Sequence, residues 1–386
     1  RDDWANTPNA ERIAILSEIK DRLLTVADGW VETAARKKQL PEGSPLAGEE
    51  WLSGPLAVMS ACNGLMQTLA QMEHKAFLDH LPQRETVSGQ LAVEVMPHNI
   101  WDRLLLSGVS AEVWMQPGVT ADSLAQNTAS AYDAPAGQRK GKVALVLGAG
   151  NIAAIAPLDC FQKLFLENQV VILKMNPVND YLTDYLRVAL KPLIDRDALR
   201  IVTGSGADGA YLTTHDLVEE LHITGAGATH DAIVWGTGAE GAANKKAGTP
   251  LNTRRFTSEL GAVCPTIVVP GPWSKGDIAF QAEHIATLKM HNSGFNCVAC
   301  QVLVMPRSWD RRDALLDKVK ETIAASTRMA YYPGAGDRID AFAGKSDHAE
   351  RIDRGAAPAC VITPADTSPD GYFASEEVFA PALSLH

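Results

Sequence analysis

The chain is poor in several features that define large classes of proteins. Its six cysteines form no pair of CxxC motifs, so we expect no zinc site of that type and no other metal centre. No run of about 18 apolar residues occurs, which excludes a typical membrane-spanning helix. Acidic residues outnumber basic ones, 46 to 35, and the formal net charge is −11. Because nucleic acids and anionic membranes bind clustered Lys and Arg, neither is expected as a partner.

The few cysteines leave two interpretations open. Cys297 and Cys300 form a single CxxC pair, which near a βαβ pattern is typical of a redox motif. Reduced thiols in a cytoplasmic enzyme are the alternative, and they suit the rest of the chain better. We therefore expect a cytoplasmic protein.

The pattern of apolar residues predicts an α/β protein. With 386 residues, of which 46% are hydrophobic, the chain is long enough for two domains. Periodic apolar residues over 9–37 and 52–80 predict amphipathic helices. Further along, buried strands alternate with helices, which indicates parallel sheets covered on both faces. The predicted strands cover 143–147, 170–174, 200–203, 217–223, 266–269 and 301–305, and residues 236–255 are predicted to form a long, polar, basic loop.

A glycine turn follows the first of these buried strands. Gly148-Ala-Gly150-Asn-Ile-Ala153 has the GxGxxA pattern of dinucleotide-binding proteins. No acidic residue closes the next strand, where Leu173 and Lys174 stand instead. A standard Rossmann site is therefore one interpretation, and a simple tight turn between strand and helix is the other.

Cys297 is the most reactive candidate side chain. It follows a turn rich in Gly and Asn, and a cysteine exposed near backbone N–H groups has a lowered pKa and acts as a nucleophile. The alternative is a buried structural cysteine. Glu259, in Ser-Glu-Leu-Gly, lies about forty residues upstream; alone it would be a solvated surface charge, but the pairing with Cys297 is rare. His291, beside the turn, either tunes the thiol or is a packing residue.

These segments resemble those of the aldehyde dehydrogenases, whose Glu-Leu-Gly-Gly and Phe-x-Asn-x-Gly-Gln-x-Cys motifs carry a base and a nucleophile. Further segments are similar in the same order along the chain. The matches are Ala156–Phe161 (Pro-Trp-Asn-Phe-Pro in the family), Val171–Lys174, Ile201–Gly225, and Glu376–Pro381 (Glu-Glu-Ile-Phe-Gly-Pro). The chain is identified as a divergent member of this superfamily.

The resemblance implies a role for each matched residue. The Cys297 thiolate attacks an aldehyde to give a thiohemiacetal, hydride passes to a nicotinamide, and water activated by Glu259 hydrolyses the resulting thioester. The implied cofactor is NAD or NADP, because no acidic residue follows Lys174 and a lysine suits a 2′-phosphate. The implied cofactor-binding residues are Lys174 at the adenosine ribose, Gly225 beneath the pyrophosphate, Glu377 at the nicotinamide ribose and Phe379 near the nicotinamide.

Several positions depart from the family pattern. Asp159 stands where the family has the asparagine of the oxyanion hole, and loss of one such donor costs about 2.7–4 kcal/mol in other enzymes. Asp159 can act as the oxyanion-hole donor only if burial keeps it protonated. Otherwise Asn151, Asn292 or Asn296 would have to take over the donor role. The other departures are Phe295 for the Gln before the nucleophile, Ala262 for the second Gly after Glu259, and Ala226 for the Ser of the pyrophosphate turn.

The resemblance also implies the domain organisation. We expect N-terminal helices and a dinucleotide-binding domain over 1–258, and a catalytic, thiol-bearing domain over 259–386. An oligomerisation hairpin is expected near 91–135, in a homo-oligomer, dimer or tetramer. In the family, further sequence follows the position of His386 and completes the catalytic domain, so we expect a missing C-terminal part.

Three functions follow from these residues. The first is NAD(P)-dependent oxidation of an aldehyde to a carboxylic acid. The second is an acylating acyl-CoA or acyl-phosphate reductase of the same superfamily, which Asp159 and the basic loop favour and Glu259 opposes. The third is a catalytically silent member that binds nucleotide, which Asp159 favours and the retained Cys297 opposes.

Overall fold

The computed structural model describes residues 1–365, 368 and 371–386. Over these residues the chain forms an N-terminal helical layer, a small antiparallel sheet and two five-stranded sheets flanked by helices. The predicted α/β fold with parallel sheets is confirmed. None of the helices in the described part of the chain is long and apolar enough to cross a membrane.

The N-terminal layer covers one face of the first parallel sheet. Its helices are α1 (Asp2–Ala5), α2 (Asn9–Lys37), α3 (Gly48–Leu52) and α4 (Pro55–Ala70). In α2 the apolar residues recur at helical spacing, so Ile15, Ile19 and Leu23 form one buried stripe. This stripe joins a core that includes Leu164 and Val146 of the sheet unit. The helical layer is therefore part of the same hydrophobic core as the sheet.

A small three-stranded antiparallel sheet follows. Its elements are β1 (Gln83–Glu85), β2 (Leu91–Met96), α5 (Ile100–Leu105) and β3 (Ala111–Trp114), and the strand order is β1-β2-β3. Several large apolar side chains of this unit are exposed, among them Trp101, Leu104, Leu105 and Trp114. The unit overlaps the expected hairpin near 91–135, whose role in oligomerisation stays a prediction.

The first five-stranded sheet is entirely parallel. Its elements are β4 (Val143–Leu147), α6 (Ile155–Phe161), β5 (Val170–Lys174), α7 (Thr183–Ala189), α8 (Lys191–Ile194), β6 (Leu199–Val202), α9 (Gly206–Thr214), β7 (Glu220–Gly225), α10 (Gly227–Trp235), α11 (Gly238–Ala247) and β8 (Arg255–Leu260). The strand order is β6-β5-β4-β7-β8. The chain runs outward from β4 to one edge and then to the other, so a topological switch point lies between β4 and β7. Ligands of open parallel sheets bind at the carboxyl ends of the strands near such a point.

The predicted loop over 236–255 is wrong in its middle, because Gly238–Ala247 forms α11. This helix is rich in alanine, a strong helix former, but most of its residues are exposed and it lacks the apolar stripe that signals a helix in sequence. It ends at Gly248, whose φ of 68° is in the left-handed region favoured by glycine.

The second five-stranded sheet carries the thiol-bearing segment. Its elements are β9 (Cys264–Ile267), α12 (Lys275–Met290), β10 (Cys300–Val304), α13 (Arg312–Ala324), α14 (Ala335–Ala343), β11 (Glu350–Arg354), β12 (Ala357–Pro364), α15 (Tyr372–Ser375) and β13 (Ala382–Leu385). The order is β11-β12-β13-β10-β9, and only the β11–β12 pairing is antiparallel. The expected domain boundary between 258 and 259 falls within β8 of the first sheet, and the division into two domains stays a prediction.

Candidate active site

A cavity of about 1080 Å³ lies at the carboxyl ends of the strands of the first sheet. It is lined by Leu147, Lys174, Gly225 and Leu260, the last residues of β4, β5, β7 and β8. Six residues that the sequence singled out all line this one cavity: Cys297, Glu259, Lys174, Gly225, Glu377 and Phe379. The cavity therefore brings together side chains from both sheets, at the position where parallel sheets bind ligands.

Cys297 follows a tight turn with unusual backbone geometry. Asn292, Ser293 and Gly294 have φ angles of 48°, 57° and 83°, all in the left-handed region. Such angles cost of order 1–3 kcal/mol at a non-glycine residue and persist only where the surroundings impose them. A Cβ atom at Gly294 would also lie 2.9 Å from the Ala380 carbonyl oxygen. Glycine is therefore required at 294 by both the backbone angle and the close approach of Ala380.

Buried amide groups hold this turn in place. The Asn292 Nδ2 donates hydrogen bonds to the carbonyl oxygens of Phe295 and Asn151, each at 3.1 Å. The Asn151 Nδ2 also donates a hydrogen bond to the Phe295 carbonyl oxygen, at 2.8 Å. Tyr331 completes the network, because its hydroxyl donates to Asn292 Oδ1 at 2.9 Å. The glycine turn of the first sheet and the nucleophile turn are thus bonded directly to each other.

Phe295, one of the departures from the family pattern, is explained by its surroundings. The ring is fully buried and lies 5.2–5.7 Å, centroid to centroid, from the rings of Tyr331, Tyr332 and Phe379. Aromatic pairs in this range stabilise beyond their buried area. Two members of the cluster, Tyr332 and Phe379, line the cavity, so Phe295 supports the wall next to the thiol.

The Cys297 thiol is held in its neutral form by its environment. Burial raises the pKa of the thiol, and the carboxylates of Glu259 and Glu377 raise it further. Its own backbone N–H acts in the opposite direction. The Sγ of Cys264 donates a hydrogen bond to the Cys297 carbonyl at 3.4 Å. The sequence-based expectation of a lowered thiol pKa is therefore wrong for Cys297.

We expect the alkylation rate of Cys297 by iodoacetamide to rise about tenfold per pH unit through neutral pH. The rise should continue above pH 8.5, roughly the ordinary thiol pKa, because the raised pKa of Cys297 keeps the thiolate scarce. Glu259→Gln removes one of the neighbouring carboxylates and should speed alkylation at a fixed pH. Peptide mass spectrometry after timed labelling measures both effects. A plateau below pH 8 in the unchanged protein would contradict this account.

Glu377 reaches the cavity beside the Glu259 segment. Burial raises the pKa of Glu377, while the backbone N–H of Ala262 and the cations of Lys289 and Arg338 lower it. Its Oε1 is buried and has no hydrogen-bond partner among the described residues. An acceptor in that state is costly unless a ligand supplies a donor. The position therefore suits a ligand hydroxyl.

Gly261 is required for this placement, because an added Cβ would overlap the Glu377 carboxylate. We expect Gly261→Ala to displace Glu377 and to weaken nucleotide binding about 10- to 100-fold, the value of one or two charge-assisted hydrogen bonds. Titration calorimetry with NAD and NADP measures the change. Gly64→Ala is the matched control, since Gly64 is exposed on α4 and its Cβ would meet nothing within 4 Å. Unchanged nucleotide affinity in Gly261→Ala would refute the role of Glu377.

Lys174 lies at the opposite part of the cavity, at the carboxyl end of β5. Burial lowers its pKa, and the carboxylates of Asp208 and Asp180 raise it. Asp208 belongs to α9, where it accepts hydrogen bonds from the backbone N–H and hydroxyl of Ser205 at 2.7 and 2.9 Å. The sequence has no acidic residue directly after Lys174, but Asp208 of α9 provides one near the lysine. No sequence motif indicated this role for Asp208.

Asp159 lies on α6 and faces β7. Its Oδ2 accepts a hydrogen bond from the Thr224 hydroxyl at 2.9 Å and lies 3.4 Å from Nε2 of the buried His222. Among the described residues that line the cavity, Thr224 is present and Asp159 is not. Asp159 is thus connected to the cavity through Thr224, and its oxyanion-hole role stays a prediction that no direct contact supports.

The three asparagines considered as replacements all serve the nucleophile turn. Asn151 and Asn292 donate to its carbonyl groups, and the Asn296 amide nitrogen lies 2.6 Å from His291 Nδ1. The backbone N–H of Cys297 itself faces the thiol. A donor at this position is near an oxygen on a carbon bonded to Sγ.

Comparisons with known proteins found a similar family and similar folds. Residues 161–331 match the model of the aldehyde dehydrogenase family. The fold is similar to that of 3,6-anhydro-L-galactose dehydrogenase, with a TM-score of 0.62 and 14% identity, covering 99% of this chain and 70% of that chain. It is also similar to aldehyde dehydrogenase from Bartonella henselae, with a TM-score of 0.58 and 14% identity, covering 99% of this chain and 70% of that chain. A third similar structure is Mycobacterium tuberculosis aldehyde dehydrogenase complexed with NAD+, with a TM-score of 0.62 and 16% identity, covering 99% of this chain and 69% of that chain.

The chain spans about 70% of the length of these solved structures. No curated protein sequence matches it. The solved structures show the fold alone at these identities, and the family model matches the segment that runs from α6 through the nucleophile turn to Tyr331. Over residues 161–331, somewhat less than half of the chain, the sequence is similar to the aldehyde dehydrogenase family, and the fold is similar to that of aldehyde dehydrogenases.

Proposed function

We propose that the protein oxidises an aldehyde to a carboxylic acid, with NAD or NADP as the hydride acceptor. The observation that carries the proposal is that Cys297 and Glu259 open onto one cavity, whose far part is lined by Lys174 and the glycine turn of the first sheet. A nucleophile and a base at one end, and a cation with exposed backbone at the other, suit a dinucleotide with a small substrate.

The residues present fit such a cofactor. Gly225 and Ala226, just before α10, line the cavity, so the helix N-terminus is available to a pyrophosphate even though Ala226 lacks the usual hydroxyl. Lys174 would hold the adenosine ribose, and the unpartnered Oε1 of Glu377 would accept from the nicotinamide ribose. Phe379 would pack near the nicotinamide. When bound, the oxidised nicotinamide supplies the hydride acceptor.

The side chains of this chain account for the remaining steps. The Cys297 thiol first loses its proton to solvent. The thiolate then adds to the carbonyl carbon, and the new oxyanion accepts a hydrogen bond from the Cys297 backbone N–H. Loss of hydride from that carbon leaves a thioester on Sγ. Glu259 takes a proton from water, whose oxygen attacks the thioester carbon. The C–S bond then breaks, which releases the carboxylic acid and restores the thiolate.

The two alternative functions have less support. Glu259 lines the cavity, and a water-activating base opposes transfer of the acyl group to CoA or phosphate. The basic loop predicted over 236–255 was one reason to consider an acylating enzyme, but part of that segment forms the helix α11. The Asp159 carboxyl group has polar partners in Thr224 and His222, and the retained Cys297, which lines the cavity, opposes a silent member.

An assay with a panel of aldehydes, following the absorbance of the reduced nicotinamide, tests the proposal. Turnover with NAD or NADP in the absence of CoA and phosphate is the expected result. Activity that appears only when CoA or phosphate is added would establish the acylating alternative. Nucleotide binding without turnover on any aldehyde would establish the silent one.

We also propose a homo-oligomer formed through the β1–β3 unit. Leu105, on α5, is 78% exposed beside other exposed apolar residues, and clustered apolar surface of this kind marks interaction sites. Leu105→Glu is expected to lower the molar mass measured by light scattering after size exclusion, at equal protein concentration. Leu24→Glu, at an exposed leucine of α2, is the control and should leave the mass unchanged. A monomer in the unchanged protein would overturn this proposal.

A further inference from the structure

Glu49, on α3 of the N-terminal layer, contacts the turn that precedes the proposed nucleophile. Its Oε2 accepts a hydrogen bond from the Asn292 backbone N–H at 3.2 Å and lies 3.5 Å from His291 Nε2. Its Oε1 forms an ion pair with Arg328, whose side chain is almost completely buried. One carboxylate therefore connects the N-terminal layer, the nucleophile turn and the segment after α13.

The contact with His291 continues towards Cys297. The Asn296 amide nitrogen, a hydrogen-bond donor, lies 2.6 Å from His291 Nδ1. Since Nδ1 accepts this bond in the neutral ring, the ring proton sits on Nε2, which faces Glu49. Asn296 immediately precedes Cys297 in the chain. A continuous series of polar contacts thus runs from Glu49 through His291 to the residue beside the thiol.

The nucleophile turn needs such support. Asn292 and Ser293 are buried and have positive φ angles, a conformation that persists only when surrounding contacts impose it. The Asn292 side chain supplies some of these contacts, but its backbone N–H is paired with Glu49. Removing the carboxylate leaves a buried donor unpaired and the Arg328 cation uncompensated.

We propose that Glu49 is a positioning residue for Cys297, a role that rests on the proposed function of Cys297 as the nucleophile. Its carboxylate, neutralised by Arg328, holds the turn that presents the thiol to the cavity. Neither the aldehyde nor the nucleotide is expected to touch Glu49, because the described residues that line the cavity do not include it.

The test compares Glu49→Ala, Glu49→Gln and the control Glu42→Gln, which removes the same charge from an exposed residue of the loop between α2 and α3. Alkylation of each cysteine by iodoacetamide is measured by peptide mass spectrometry without substrate or nucleotide. In Glu49→Ala the released turn should move the half-buried thiol away from its position near two carboxylates, and Cys297 alkylation should become about tenfold faster, as for one unit of pKa. The buried Cys62 and Cys160 should stay protected.

Turnover is expected to change in the opposite direction. The kcat of Glu49→Ala should fall about 10- to 100-fold, since misplacing a reacting group by about 1 Å has that effect, while KM and the nucleotide Kd stay within about twofold. Glu49→Gln should be intermediate, because its carbonyl oxygen still accepts from Asn292 but Arg328 loses its counter-charge. Glu42→Gln should match the unchanged protein.

The outcomes are distinguishable. The proposal would be overturned if Glu49→Ala had the same rate of Cys297 alkylation and the same kcat as the unchanged protein. If Glu49→Ala also exposes Cys62 and Cys160, the protein has lost its fold and Glu49→Gln decides: unchanged alkylation of Cys297 there overturns the proposal, and selective acceleration supports it. The labelling arm needs no aldehyde, so it gives its answer even if the proposed dehydrogenase activity fails.

Discussion

Cys297→Ala is expected to abolish aldehyde oxidation, with kcat/KM falling on the order of 10⁴-fold or more. Cys297 contributes the only thiol among the described residues that line the cavity, and the covalent step depends on its sulfur. Nucleotide affinity should change little, because the proposed cofactor contacts come from Lys174, Glu377 and Phe379. Steady-state assays combined with titration calorimetry measure both quantities.

Cys264→Ser is the matched control for this prediction. Cys264 contributes the thiol that donates to the Cys297 carbonyl, and serine keeps a donor at that position. This variant should retain most of the activity. Substantial turnover in Cys297→Ala, or loss of activity in Cys264→Ser alone, would assign the nucleophile to another residue.

Glu259→Gln is expected to separate the two halves of the reaction. The first turnover should still produce reduced nicotinamide in an amount equal to the enzyme, because thiolate addition and hydride loss do not need the base. The following turnovers should slow about 10²- to 10⁴-fold, the usual contribution of a general base, and the acyl-enzyme should accumulate. Rapid-mixing absorbance measurements resolve the burst from the steady state.

Glu240→Gln, at an exposed glutamate of α11, controls for the loss of one negative charge and should leave both phases unchanged. A Glu259→Gln variant without the burst would show that Glu259 acts before the thioester forms, as the base that activates the thiol. Full steady-state activity in Glu259→Gln would exclude it as the water-activating base.

Much of the fold could be predicted from the sequence because its strands are short, apolar and separated by helices. The β4 strand begins and ends where its apolar run does, and β5 extends only one residue beyond its run, to Lys174, since both faces of a parallel sheet are buried. The helix α11 could not be predicted in this way, because its stability comes from alanine content and capping and leaves no apolar stripe.

In the candidate site, too, some residues could be predicted from the sequence and others could not. Cys297, Glu259 and Glu377 each lie in a short motif, and the fold brings all three to one cavity, while their roles stay predictions. Asp159 shows the limit of motif matching, since its contacts with Thr224 and His222 depend on the facing strand. Glu49 was not predicted at all. It contacts a turn 243 positions away in the chain, and nothing in its local sequence distinguishes it from a surface glutamate.

Trapping the acyl-enzyme shows directly whether Cys297 is the nucleophile. The protein is incubated with NAD or NADP and an aldehyde that it oxidises in the panel assay. The mixture is then quenched in acid, digested and examined by mass spectrometry. We expect an acyl group on the Cys297 peptide only when aldehyde and oxidised nucleotide are both present, and in larger amounts in Glu259→Gln. Reduced nicotinamide formed without any adduct on Cys297, or an adduct on a different cysteine, would contradict this expectation.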